Sequence, residues 1–210
     1  MAMTTIQRIQ DLIPEDKPHI SNSLMSDVKR IVLGQQLFSG GERFLYFGSE
    51  LHRSILEPET AMDDFHFTDD ERLLLDDMYQ QGAAHEGIQK ALKCAKTERI
   101  LFADIEGVRV KVILDIHNEI KHFGADLKST SCTTEKAFLK TCTKYGYWRQ
   151  AYIYMSVAKL KSFKFFAMSK NGKCPIFEID VANYPVQMAA AKRETIMLIS
   201  IIKSAGRFNN

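Results

Sequence analysis

Residues 108–130 read VRVKVILDIHNEIKHFGADLKST, and this stretch decides the fold class. Over 108–114 apolar residues alternate with other side chains, and this period of two predicts a β-strand. A similar run at 99–103 precedes it across a Glu106-Gly107 turn, and a third strand is predicted over 120–128. We assign residues 117–118 to the turn before that third strand. The stretch therefore predicts three sequential antiparallel strands.

The flanking sequence predicts helices and a second hairpin. Apolar residues recur at helical spacing, and a capping-box pattern of Thr68 and Glu71 starts one helix. The helices are expected at about 47–58, from 68 onward, and at 84–95, 134–144, 147–159 and 187–204. Strands at 162–168 and 174–181 are joined by Asn171-Gly172, a strong hairpin signal. The expected fold is α/β: a mixed central sheet flanked by helices in one domain of residues 26–210, after a peripheral arm of residues 1–25.

Charge is distributed unevenly along the 210 residues. Residues 1–80 carry 15 acidic and 7 basic side chains, a net charge of −8, whereas residues 81–210 carry 11 and 21, a net charge of +10. A basic majority that keeps some carboxylates suits a polyanionic ligand held near metal ions. The four cysteines form no Cys-x-x-Cys pair, which argues against a zinc or iron-sulfur site.

The hydrophobic pattern bears on localisation. Hydrophobic residues make up 45% of the chain, enough for an ordinary core, and no run approaches the roughly 18 apolar residues of a membrane helix. The N-terminus also lacks the basic-then-apolar pattern of a signal peptide. We therefore expect a cytoplasmic protein without membrane contact.

Asp126 and Lys128, in the third predicted strand, are candidate catalytic residues. Two residues apart in a strand, they share one face at a spacing of about 6.5–7 Å. Asp115, near the end of the preceding strand, can approach them across the short turn. Two carboxylates beside an ammonium can hold Mg²⁺ or Mn²⁺ and stabilise a phosphodiester undergoing hydrolysis. An isolated Asp-x-Lys is more often a solvated ion pair, so the rest of the pattern decides.

Several motifs recur in one order along residues 47–154. They are Phe47-Gly48-Ser49-Glu50-Leu51-His52, Leu56-Glu57-Pro58, the strand from Gly107 to Asp115, Asp126-Leu127-Lys128-Ser129-Thr130, Tyr145-Gly146-Tyr147, and Gln150 to Tyr154. Together they resemble the RecB-like and exonuclease VIII-like (RecE-type) branch of the PD-(D/E)XK nucleases. The resemblance implies a restriction-endonuclease-like core.

The resemblance also implies roles for individual residues. His52, Asp115, Asp126 and the Leu127 carbonyl would bind Mg²⁺, with Mn²⁺ as a substitute. Lys128 would be the catalytic base or position the attacking water.

Further residues would act on the substrate. Gln150 and Tyr154, one helical turn apart, would contact a phosphate or brace Lys128. The expected DNA contacts are Lys144, Arg149, Ser129 and Thr130, with Tyr147 and Trp148 stacking on a base.

Alternatives remain at some positions. His85 could replace His52 as the upstream ligand, although the motif context favours His52. His122 shares the parity of Asp126 and could support the site indirectly. Tyr147 and Trp148 could equally serve in packing.

The expected activity is a Mg²⁺-dependent DNA exonuclease that trims linear duplex ends and leaves a single strand. The resemblance further implies a phage or mobile-element origin, 5′ to 3′ polarity, a single-strand annealing partner and a homo-oligomer. A catalytically idle nuclease fold that binds nucleic acid or protein, and a structure-specific endonuclease that cuts circular DNA, are the alternatives.

Overall fold

The structure is a computed structural model that describes residues 3–13, 19–37, 41–60 and 67–206. Five strands form one sheet in the order β1-β2-β3-β4-β5. Their bounds are β1 Lys96–Ile105, β2 Val108–Asn118, β3 Phe123–Thr130, β4 Ser162–Ser169 and β5 Ile176–Asp180. β3 and β4 run parallel, and the other neighbouring pairs are antiparallel. The predicted mixed sheet and its three sequential antiparallel strands are confirmed.

Eight α-helices flank the sheet in the described part of the chain. They are α1 Thr5–Leu12, α2 Asn22–Val32, α3 Glu42–Leu56, α4 Asp69–Ala84, α5 Glu86–Leu92, α6 Glu135–Tyr145, α7 Tyr147–Ala158 and α8 Pro185–Ser204. The predicted capping box is present: the Thr68 hydroxyl accepts from Glu71 N at 3.3 Å, and the Glu71 carboxylate accepts from Thr68 N at 2.9 Å. Such reciprocal bonds satisfy amides that a helix start leaves free.

Both faces of the sheet are covered, which explains the nearly continuous apolar run of β4. Phe163 and Phe165 join a core with α7 and α8, whereas Phe166 and Met168 face a second core with α3 and α4. The alternation that sends neighbouring side chains to opposite faces therefore divides one strand between two cores. The mixed α/β fold class predicted from the sequence is confirmed.

β2 and β3 separate part-way along their length. They pair only at Asn118↔Phe123, His117↔Gly124 and Ile116↔Ala125, although each strand continues beyond that last pair. Further along, Ile20 lies beside β2, donating to Arg109 O at 2.9 Å and accepting from Lys111 N at 2.8 Å. The two strands thus form a fork that opens beyond Ile116 and Ala125.

Three expectations differ from the structure at element ends. His117 belongs to β2 and is 5% exposed, so it is not the turn residue that we predicted. β3 begins at Phe123, and Ile120, the predicted start, is 85% exposed. Strand β2 runs three residues beyond Asp115, because the turn between β2 and β3 occupies residues 119–122. That turn lies later in the chain than the predicted turn at residues 117–118.

The N-terminal region packs more closely than an arm. Ile9, Ile13 and Ile20 are buried in the core that contains α7 and α8. Helix α2, for which the sequence analysis predicted no element, lies against the same core. The division at residue 25 stays a prediction. No helix in the described ranges combines the length and apolar character needed to cross a bilayer.

Arg149 on α7 fastens α2 to the core. Its guanidinium is 2% exposed and donates to Glu194 at 2.5 Å, to Asn22 Oδ1 at 2.9 Å and to the Ser26 hydroxyl at 2.5 Å. Five donors in a rigid fork suit this set of acceptors on two helices. This placement differs from the predicted phosphate contact, and we assign Arg149 a structural role.

We expect Arg149→Ala to lower the free energy of unfolding by about 3 kcal/mol, because it leaves polar groups of α2 and α8 without their buried partner. Urea unfolding without DNA measures the change. Lys144→Ala, at the exposed end of α6, is the control and should change stability by less than about 0.5 kcal/mol. Equal stability of the Arg149 variant and the wild type would contradict the structural role.

Candidate active site

Asp115 and Asp126 lie where the strands part. The last ladder pair is Ile116↔Ala125, so the two aspartates occupy the next register position. They are 7% and 2% exposed. Asp115 Oδ2 accepts from Leu127 N at 2.7 Å, which gives this amide an acceptor where β2 no longer supplies one. The carboxylates therefore meet inside the fork, several residues before the end of β2 and not at the strand tips that we expected.

Asp126 is held from two sides. Its Oδ2 accepts from Gln150 Nε2 on α7 at 2.6 Å. Its Oδ1 lies 2.5 Å from Lys128 Nζ, but makes no aligned hydrogen bond with the described residues. The close ammonium therefore compensates the charge of this buried carboxylate oxygen.

Lys128 is an ammonium ion in this environment. Burial disfavours its charge, but Asp126 and Asp115 outweigh that effect and raise the pKa of Lys128 above its ordinary value. Nζ also lies 4.9 Å from the centre of the Tyr147 ring, within cation-π range. The structure thus brings together Asp126 and Lys128, the pair that the strand spacing placed on one face.

The surroundings of Asp115 disfavour a negative charge on its carboxyl group. Burial, followed by the charge of Asp126, raises the pKa of Asp115 well above its ordinary value. A divalent cation would relieve the same repulsion that protonation relieves. The carboxylate pair is therefore suited to a hard cation.

His52 lies on α3 beside this pair. Its Nδ1 is 3.3 Å from Asp115 Oδ2. Burial lowers the pKa of His52 to about 4, so the imidazole is neutral near pH 7, as a metal ligand must be. Gly48, one turn earlier, faces β3, where a Cβ would lie at an ordinary contact distance of 3.6 Å from Ser129 Oγ.

Glu98 is the acidic neighbour that the sequence analysis missed. The β1–β2 pairs Thr97↔Ile116 and Arg99↔Leu114 place it opposite Asp115. Ligand atoms of His52, Glu98 and Asp115 all lie within 4.8 Å of one another. The signal was the Glu106-Gly107 turn, which fixes the hairpin register, but it shows Glu98 only when the pairing is extended along both strands.

A cavity of about 340 Å³ opens beside these three residues. Its lining also includes Glu57 at the end of α3. Carboxylate and carbonyl oxygens with one imidazole suit Mg²⁺ or Mn²⁺, and the clustered ligand atoms of His52, Glu98 and Asp115 fit such an ion. The residues present fit the metal that the resemblance implies, with Asp115, Asp126, His52 and the Leu127 carbonyl as its expected ligands.

The remaining predicted residues divide between site and interior. Gln150 and Tyr154 line a large groove that also reaches Lys128. Burial raises the pKa of Tyr154, so its hydroxyl keeps its proton. Trp148 is 6% exposed and packs on Tyr184 with ring centres 5.0 Å apart, which agrees with the packing alternative and not with base stacking.

The polar residues after β3 and α6 also have distinct surroundings. Thr130 is 7% exposed, and its hydroxyl accepts from Cys132 N at 3.1 Å, a bond within the turn. Ser129 stays half-buried near Gly48, and Lys144 lies over the Tyr145 ring at 5.1 Å. Contacts of Ser129 and Lys144 with DNA stay predictions.

The two further histidines that the sequence raised as candidates, His85 and His122, lie in structural positions. His85 caps α5, where its Nδ1 accepts from Ile88 N at 3.3 Å, and its ring packs on Phe166 at 5.9 Å. His122 is exposed in the turn before β3, where its carbonyl accepts from Lys161 N at 2.7 Å. His52, of the three, is the one placed against the carboxylates.

Residues 35–204 match the family described as a PDDEXK-like domain of unknown function (DUF3799). The chain belongs to this PDDEXK-like family. The match includes the fork and every residue of the candidate metal site.

A solved structure with a TM-score of 0.67 shares this fold. A candidate exonuclease from Eubacterium rectale is 14% identical and gives a TM-score of 0.67 over 98% of this chain and 88% of that one. A phage-related exonuclease from Haemophilus somnus 129PT is 13% identical, with a TM-score of 0.35 over 87% of this chain and 95% of that one. No protein with a curated description matches the chain.

We expect Mn²⁺ affinity to rise as pH increases from about 5 to 8. The cation must displace the proton that burial favours on Asp115, whereas His52 is already neutral in this range. Titration calorimetry at several pH values measures the affinity. Asp115→Asn, which has no proton to lose, should bind weakly with a flat pH profile, and a wild-type affinity independent of pH would contradict the assignment.

Proposed function

We propose that this protein is a metal-dependent deoxyribonuclease that hydrolyses phosphodiester bonds at the ends of duplex DNA. The observation that carries the proposal is the meeting of Asp115, Asp126 and Lys128 inside the β2–β3 fork. Membership of a PDDEXK-like family supports the same chemistry. A Mg²⁺ or Mn²⁺ ion would be held by Asp115, Asp126, His52 and the Leu127 carbonyl, and when bound it would activate water and neutralise phosphate charge.

The chain's own groups prepare the reaction. Lys128 Nζ lies beside Asp126, so its positive charge is available to the scissile phosphate or to the attacking water. Gln150 donates to the other Asp126 oxygen and fixes the carboxylate plane. Both aspartates are buried, so little water competes for these contacts, and their electrostatic interactions are stronger than in bulk water. Preorganisation of charge, rather than covalent catalysis, is the contribution of the protein.

Cleavage from DNA ends is the mode that we favour over internal cleavage. The structural neighbour with a TM-score of 0.67 is described as a candidate exonuclease, which supports this choice. We further propose a role in phage or mobile-element recombination, with a homo-oligomer acting in the cytoplasm beside a single-strand annealing protein. These finer roles follow from the motif resemblance described above.

The activity test compares end-labelled linear duplex DNA with closed circular DNA, with and without Mg²⁺. We expect degradation of the linear DNA alone, only with Mg²⁺, and a loss of at least about 100-fold in rate for Lys128→Ala. Asp115→Asn should cause a similar loss while keeping an oxygen to accept from Leu127 N. Lys121→Ala, in the turn before β3, is the matched lysine control and should retain the rate.

Three results would change the proposal. Cutting of circular DNA would indicate an endonuclease. Binding of DNA without any metal-dependent cleavage would favour a catalytically idle nuclease fold. Full activity of the Lys128 and Asp115 variants would show that the site lies elsewhere.

A further inference from the structure

The candidate site opens onto two separate spaces. The acidic cavity contains His52, Glu98 and Asp115, whereas a groove of about 940 Å³ contains Lys128 and Gln150. A polyanion is repelled by carboxylates that lack a metal and attracted by an ammonium. The groove on the lysine side is therefore the space suited to a nucleic-acid strand.

The β2–β3 fork creates the floor of this groove. Lys111 and Ile113 belong to the part of β2 that has left β3, and both line the groove. Residues 21–30, from the cap of α2 onward, contribute lining residues on the other side. The separation of the strands thus leaves a channel that leads to Lys128.

Residues 21–30 form one wall of the groove, which we call the α2 wall. This wall precedes the part of the chain that matches the family. That match begins at residue 35, yet residues 19–30 are held firmly to the core. Ile20 makes two backbone bonds with β2, and buried Arg149 binds Asn22 and Ser26. The wall is therefore an ordered part of this fold that lies outside the residues matched by the family.

The charges of the groove are complementary to a phosphodiester backbone. Arg30 pairs with Asp27 at 3.0 Å, and Lys128 pairs with Asp126 at 2.5 Å. Lys111 is half-buried in the groove and makes no ion pair with any residue that the structure describes. It is a cation that lines the same groove as α2 and Lys128, where a phosphate can bind it.

Aromatic rings line the same groove. Tyr145 is 41% exposed, and Tyr147 and Tyr154 continue toward Gln150. Cations along a groove with accessible aromatic rings recognise unpaired strands, because a single strand offers its base faces for stacking and a duplex does not. Tyr145 presents the most accessible of these three rings.

We infer that this groove binds a single strand of DNA that leads into the active site, with Lys111 contacting a phosphate and Tyr145 stacking on a base. The inference rests on the proposed nuclease function and specifies its substrate: an unpaired strand next to the scissile bond. Duplex DNA would then need a frayed or previously resected end before its strand could enter.

The test measures binding in the absence of metal, so that cleavage does not interfere. Fluorescence anisotropy of a labelled 12-nucleotide oligothymidylate is recorded for the full chain over a range of salt concentrations. Lys111→Ala should weaken binding about five-fold and reduce the slope of log K against log salt by about 0.7, the value for one phosphate contact on a single strand. Tyr145→Ala should weaken binding about ten-fold with little change in slope.

Matched variants separate the groove from general basicity. Lys161→Ala removes an exposed lysine just before β4, at the end of that strand far from Ala167, the ladder partner of Lys128, and should bind as the wild type does. Lys111→Arg should restore most of the affinity and the slope. These controls test whether the position of the charge matters.

The inference is overturned if Lys111→Ala and Tyr145→Ala both keep wild-type affinity and salt slope, or if the wild type does not bind the oligonucleotide. Binding that depends on Lys111, in a protein that never cleaves DNA, would support the groove and contradict the proposed activity. The two proposals can therefore fail independently.

Discussion

The hydrogen bond from Leu127 N to Asp115 Oδ2 is the interaction on which the site depends. At this position β2 leaves β3, and β3 no longer finds a backbone acceptor on β2. The Asp115 side chain of β2 accepts from Leu127 N in its place. A buried amide without an acceptor would cost about 1–3 kcal/mol, so the replacement stabilises the fork. The same bond fixes Asp115 beside Asp126. It therefore stabilises the fork and also positions the two carboxylates of the candidate site.

Charge balance is the constraint that follows from this geometry. Asp115, Asp126 and Glu98 approach one another, with Lys128 as the adjacent cation and His52 neutral. The two aspartates are buried and Glu98 is exposed, so the aspartate pair is unfavourable until a proton or a cation joins it. A divalent ion satisfies that need and at the same time supplies the charge that phosphate hydrolysis requires.

Local patterns were readable from the sequence, and long-range packing was not. Alternation and turn chemistry gave the strands, and strand spacing placed Asp126 and Lys128 on one face. Glu98 was overlooked because its role appears only when the hairpin register is extended to Asp115. The predicted DNA contact of Arg149 has no local signal against it, because the partners of Arg149 on α2 and α8 are distant in sequence.

Anomalous diffraction from a Mn²⁺-soaked crystal tests directly whether the β2–β3 fork binds a divalent metal ion. We predict an anomalous peak inside the fork, coordinated by Asp115, Asp126 and the Leu127 carbonyl. The imidazole of His52 should be at or next to the ion. A fully soaked crystal with no peak there, or with the two aspartates turned away from each other, would contradict this prediction.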